Sequence, residues 1–106
     1  MYTTIRRYHL ERGSMDELLH LVDEGFAEQI QEMDGFVAYE CVVDGDELCT
    51  ISVFRDRASA EATTQAAADW IRENVGDKAD LTRTDVFTGE VAVSRAQSAM
   101  LEPAHA

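Results

Sequence analysis

Apolar and polar positions follow two different periods along this chain. From Gly35 to Phe54 the segment GFVAYECVVDGDELCTISVF alternates with a period of two, broken only at Asp44-Gly45-Asp46. That is the pattern of two half-buried strands joined by a tight turn, with Asp44-Gly45 or Gly45-Asp46 at the turn centre. Upstream, Met15, Leu18, Leu19, Val22, Phe26, Ile30 and Met33 recur at spacings of three and four. They predict a helix whose other side carries Asp16, Glu17, Asp23, Glu24, Glu28 and Glu32. Ser14 is placed to cap its start, and Gly35 to end it in a left-handed conformation. Gly25 inside this helix costs up to about 1 kcal/mol relative to Ala, and fits either a close backbone approach or a bend. Downstream, Ala60, Thr63, Ala67, Trp70, Ile71 and Asn74 form a second stripe, over a helix from about Ser59 to Val75. Its small first half can lie close to a sheet. Thr3 to Leu10 reads as a first strand. Leu81 to Ala96 contains the last one, most securely over Glu90 to Arg95, with Gly89 as a bulge or kink.

The resulting order is β-α-β-β-α-β. With right-handed crossovers this is the ferredoxin-like plan, an α+β fold with two helices on one face of a four-stranded antiparallel sheet. Alternation divides the hairpin into two faces. One holds Phe36, Ala38, Glu40, Val42, Cys49, Ile51 and Val53, and its apolarity predicts that it lies under the helices. The other holds Val37, Tyr39, Cys41, Val43, Leu48, Thr50, Ser52 and Phe54. Left bare, it would be a sizeable apolar patch, so it predicts a homodimer packed sheet to sheet, with room for a small-molecule ligand.

Charge narrows the partners. The 106 residues hold 21 acidic and 9 basic side chains, a net charge of −12. No basic footprint is available for nucleic acid or for an anionic membrane surface. No apolar run approaches the roughly 20 residues of a spanning helix, and the polar start MYTTIRRYHL lacks a signal-peptide core. A cytoplasmic location is expected. The length suits one domain, residues 1–96, followed by a flexible tail over 97–106. Cys41 and Cys49 lack the spacing of a zinc or redox motif and are read as reduced structural thiols.

The start YTTIRRYHLERGSMDEL, the segment GFVAYE, the junction TISVFRDRASAEA, then AADWIREN and the ending GEVAVSR together resemble a known group. They are similar to the antibiotic-biosynthesis-monooxygenase-like proteins of the dimeric α/β-barrel superfamily, over about residues 1–96. The resemblance implies a dimeric barrel and, as an activity, cofactor-independent monooxygenation of a small aromatic or polyketide-like substrate. Haem-degrading members of that group place an iron-ligating His in the second helix. Here that helix reads SAEATTQAAADWIRENV, with no His, so no cofactor and no metal is expected.

Candidate chemistry comes from a few side chains. Tyr39, mid-strand, can orient a phenolic substrate, against a plain reading as a dimer-interface tyrosine with its hydroxyl satisfied. His9, near the end of the first strand, is the candidate for proton transfer, against a plain reading as a rim histidine. Together His9 and Tyr39 form the expected catalytic pair. Substrate contacts are expected from Arg6, Arg7, Thr50, Ser52, Phe54 and Trp70. Strand alternation sends Arg6 and Arg7 to opposite faces, so only one of them enters a cavity. The competing functional reading is a non-catalytic dimeric module for small-molecule binding or stress response.

Overall fold

The computed structural model describes residues 1–97. Apart from Gln97, the expected tail lies outside the described residues. The first strand, β1 (Tyr2–Arg12), leads through Gly13-Ser14 into α1 (Met15–Leu21). There Ser14 accepts a hydrogen bond from the Glu17 amide. The helix runs on without a break through a π-helical segment (Val22–Phe26) into α2 (Ala27–Gln31). Strands β2 (Phe36–Asp44) and β3 (Glu47–Phe54) form the hairpin. Gly45 alone at its turn has positive φ, +60°, the pattern of a type II′ turn. The second helix, α3 (Arg57–Trp70), is capped by the Asp56 carboxylate on the Ser59 amide. It also ends in a π-helical segment, Ile71–Val75, followed by a 3₁₀ turn at Gly76–Lys78 and strand β4 (Asp80–Glu90).

The sheet order is β2-β3-β1-β4, with every pairing antiparallel, so β1 and β3 are central. Both helical layers cover one face, which is the ferredoxin-like fold. The stripes read from the sequence are the buried ones: Leu18, Val22, Phe26 and Ile30 from the first helix, and Ala60, Thr63, Ala67 and Trp70 from the second. Asn74, counted on the second stripe, is exposed.

The hairpin divides into the expected two faces, but the helices cover the other one. Leu48, Thr50, Ser52 and Phe54 are buried beneath them, with Tyr39 and Cys41 alongside. Val42, Cys49, Ile51 and Val53 point to the open face. Apolarity could not decide between the faces, because each carries enough of it to be covered. Polar matching decides it. The Thr4 hydroxyl donates to the Ala60 carbonyl at 2.7 Å, and Ser52 and Thr63 accept from Arg6. The hydroxyls of Thr4, Ser52 and Thr63 are therefore satisfied by the close approach that small residues on α3 allow, while those of Thr50 and Tyr39 are not. Phe36 also changes sides. The register shifts between Phe36 and Ala38, so Phe36 joins the Phe54 side, ring centroids 5.9 Å apart, and Val37 sits in the bulge.

The last strand differs from its expected position. It runs from Asp80 to Glu90, not over Glu90 to Arg95. Tyr2 pairs with Glu90, and Val91 donates to the Met1 carbonyl. Gly89 is regularly paired with Thr3, and the register shifts lie at Arg7/Tyr8 and Leu10/Arg12 instead. A Cβ at position 89 would stand 2.9 Å from the ring of the exposed Phe87, which would have to turn aside.

Candidate functional site

The even-numbered side chains of β1 enter the layer between sheet and helices. Thr4, Arg6, Tyr8 and Leu10 are all buried. Arg6 is wholly enclosed, at 0 % exposure. It donates from Nη1 to Thr63 Oγ1 at 2.6 Å and from Nη2 to Ser52 Oγ at 3.4 Å. Its guanidinium carbon lies 5.9 Å from the Phe26 ring centroid. Its Nε–H is buried with no partner. Burying one charge costs several kcal/mol even after the protein relaxes around it. Here only hydroxyls and an aromatic face offset that cost.

Beside Arg6 is a cavity of about 20 Å³, room for about one water molecule. Arg6, Tyr8, Tyr39, Leu48 and Thr50 line its sheet side, and Leu18, Val22, Phe26, Ala67, Trp70 and Ile71 its helix side. Phe26 is the centre of an aromatic cluster, 5.8 Å edge-on to Tyr39 and 5.7 Å from Trp70. Two further lining atoms, Tyr39 Oη and Thr50 Oγ1, are buried without a partner. Burial is the main force pushing the Tyr39 phenol above its ordinary range, with the neighbouring Cys41 adding to it and the Arg6 charge opposing. Tyr39 is thus a neutral hydroxyl that can donate, not a base.

Both π-helical segments contribute to this wall, through Val22 and Phe26 on one side and Ile71 on the other. π-turns inside helices occur frequently at functional sites. Gly25 lies in the first of them, and a Cβ there would stand 3.0 Å from the Trp70 indole nitrogen. The glycine therefore serves a close approach, the first of its two sequence readings.

The expected site residues separate into two groups. Arg6, Tyr39, Thr50, Ser52, Phe54 and Trp70 lie on the helix-covered side, and Arg6, Tyr39, Thr50 and Trp70 line the cavity together. His9 and Arg7 lie on the open face, where both approach Glu47, at 3.5 and 3.8 Å. Tyr8, Thr63 and Phe26 were not singled out from the sequence. Strand parity with Arg6 marks Tyr8, whereas the place of Phe26 beside the cavity has no sequence signal beyond its helical stripe. Cys41 and Cys49 are free thiols on opposite faces of the hairpin. Among the described residues, no cluster of three or more His, Cys, Asp or Glu could hold a metal ion, and no helix is long and apolar enough to cross a membrane.

The ferredoxin-like fold of this chain is shared by solved structures that include antibiotic biosynthesis monooxygenase proteins. One is SnoaB, a cofactor-independent oxygenase from Streptomyces nogalater, solved as a mutant. It is 13 % identical with a TM-score of 0.65, covering 91 % of this chain and 97 % of that one. A second is assigned to the antibiotic biosynthesis monooxygenases of Chloroflexus aurantiacus J-10-fl, 17 % identical with a TM-score of 0.64, over 90 % and 96 % of the two chains. A third is a dimeric ferredoxin-like protein from an uncultured marine organism, 10 % identical with a TM-score of 0.65, over 91 % and 98 %. At these identities the likeness is one of fold. No family model and no curated protein matches the chain.

Proposed function

We propose that the protein is a cytoplasmic, cofactor-independent monooxygenase that takes a small aromatic or polyketide-like substrate beneath its helices, where the cavity of about 20 Å³ must widen to admit it. One observation carries this reading. A buried cation and two buried hydroxyls, all with unused hydrogen-bonding atoms, converge on one aromatic-lined cavity. Perturbed, unsatisfied polar groups in an apolar pocket are the ordinary mark of a ligand site. The shared fold with SnoaB supports the reaction class.

In such a reaction the substrate is itself the reductant. For an activated methylene the balance is CH2 + O2 → C=O + H2O. The substrate gives one proton to water to become a carbanion and passes one electron to O2; the resulting radicals join in a C–O bond, and the peroxide takes a proton back from water. The hydroperoxide then loses water as its O–O bond breaks and the remaining C–H proton departs. No carboxylate or imidazole lines the cavity among the described residues. Arg6 therefore contributes by stabilising the substrate anion, and Tyr39 by donating a hydrogen bond to its oxygen. Oxygen uptake with a panel of hydroquinones and anthrones tests this. Tyr39→Phe is expected to lower the rate about 100-fold, the usual cost of losing one preorganised donor. A loss with His9→Ala and none with Tyr39→Phe would move the chemistry to the open face. Absence of uptake with every substrate favours the non-catalytic binding module, a reading that the lack of a base in the cavity supports.

The same reading includes a homodimer through the open sheet face. Phe87 is 62 % exposed and Val42 52 %, beside half-buried Ile5, Ile51 and Val53. This apolar strip is suited to a second copy of itself across a two-fold axis. Light scattering is expected to give a dimer for the wild type and a folded monomer for Phe87→Asp. A monomeric wild type would overturn the dimer.

A further inference from the structure

Arg6 is a fully buried cation in a chain with 21 acidic residues, yet none of those in the described residues lines its cavity. The partners it has are neutral: Thr63 at 2.6 Å, Ser52 at a long 3.4 Å, and the face of Phe26. The Nε–H has none. Arg6 pairs across the strands with Thr50, and Tyr39 pairs with Ser52, two residues further along β3. The Arg6 Nε–H, the Thr50 hydroxyl and the Tyr39 hydroxyl therefore share one patch of one sheet face, and all three are buried and unpartnered. A side-on guanidinium edge matches two coplanar oxygens, and the two hydroxyls add two further donors.

We infer that the ligand of this cavity carries a carboxylate, held by Arg6 and hydrogen-bonded by Thr50 and Tyr39. The inference rests on the cavity being the ligand site and adds the charge and shape of the group bound there. A phenolate brings a single oxygen and would leave part of the donor set idle. A phosphate is tetrahedral and carries more charge than one guanidinium balances, whereas a carboxylate is planar and singly charged. Phe26, Tyr39 and Trp70 surround the group with rings, which suits an aromatic acid, and at about 20 Å³ the cavity must widen to admit one.

The test uses the full chain with sodium formate and sodium benzoate, and with formamide and benzamide as neutral counterparts, at matched ionic strength. Thermal melting and emission of Trp70, the only tryptophan, report binding. At least one of the two acids is expected to raise Tm saturably and shift the emission, with no response to either amide. Arg6→Met is expected to weaken acid binding about tenfold or more, the scale of a lost charge-assisted hydrogen bond. Thr50→Val weakens it in the same direction and serves if Arg6→Met does not fold. No saturable response to either acid, an equal response to the amides, or an undiminished response in both variants would overturn the inference. Acid binding without oxygen uptake would refute the monooxygenase reading alone. Uptake from neutral hydroquinones without acid binding would refute the carboxylate alone.

Discussion

Trp70→Ala is expected to cost about 3–5 kcal/mol of folding stability, the range for truncating a large buried aromatic. Trp70 is 7 % exposed at the end of α3, its ring centroid is 5.7 Å from that of Phe26, and its indole lies over Gly25. No side chain at position 25 can move in to fill the space, so the void would open onto the existing cavity beside Arg6 rather than collapse. A domain of this size has roughly 5–15 kcal/mol in total, so the loss takes a large share of it. Urea unfolding followed by circular dichroism measures it, since the variant has no tryptophan left to report. A lower midpoint with an unchanged slope is expected, and Trp70→Phe should recover part of the loss. A cost below about 1 kcal/mol would mean that Trp70 is no anchor of the helix on the sheet.

The second large effect is loss of stability in alkali. Burial, reinforced by Cys49, pushes the Cys41 thiol from an ordinary value of 9.0 up to about 12. Burial raises the Tyr39 phenol above its ordinary 10.0 as well. In the unfolded chain these groups ionise near their ordinary values, while in the folded protein they hold their protons. Above about pH 9 the unfolded state therefore binds fewer protons, and stability falls as pH rises. The contribution is intact below pH 9, and the Cys41 part is lost progressively towards about pH 12. Urea midpoints between pH 8 and pH 11 are expected to decline, with a shallower decline in Cys41→Ala and in Tyr39→Phe. Parallel declines in wild type and both variants would sink this account. The same elevation predicts slow labelling of Cys41 by thiol reagents in the folded protein.

Most of the scaffold was legible in the sequence because each element carries its own periodicity. Ser14 and Gly35 fall where caps are needed, and the apolar spacings from Met15 and from Ala60 mark the buried sides of both helices. The alternation in the hairpin sorted Tyr39, Thr50 and Ser52 onto one face and Ile51 and Val53 onto the other, because side-chain parity is a local property of a strand. Parity likewise sent Arg6 and Arg7 in opposite directions. The end of β4 was misplaced because Val91 to Arg95 looks strand-like in isolation. The end of β4 is set by its pairing with the start of β1, Tyr2 with Glu90, a partner nearly ninety residues away in sequence.

What the sequence determined by itself is the order of elements, the two faces of each and the set of side chains able to do chemistry. The tertiary structure alone decided which sheet face the helices cover, and with it the site. That choice rests on hydrogen bonds between distant residues: Thr4 with Ala60, and Arg6 with Ser52 and Thr63. It made Arg6 a buried cation with no acid among the described residues lining its cavity, and it put His9 on the open face beside Glu47. The physical reason is that face polarity is local, whereas burial depends on what packs against a face and on whether its polar groups find partners there.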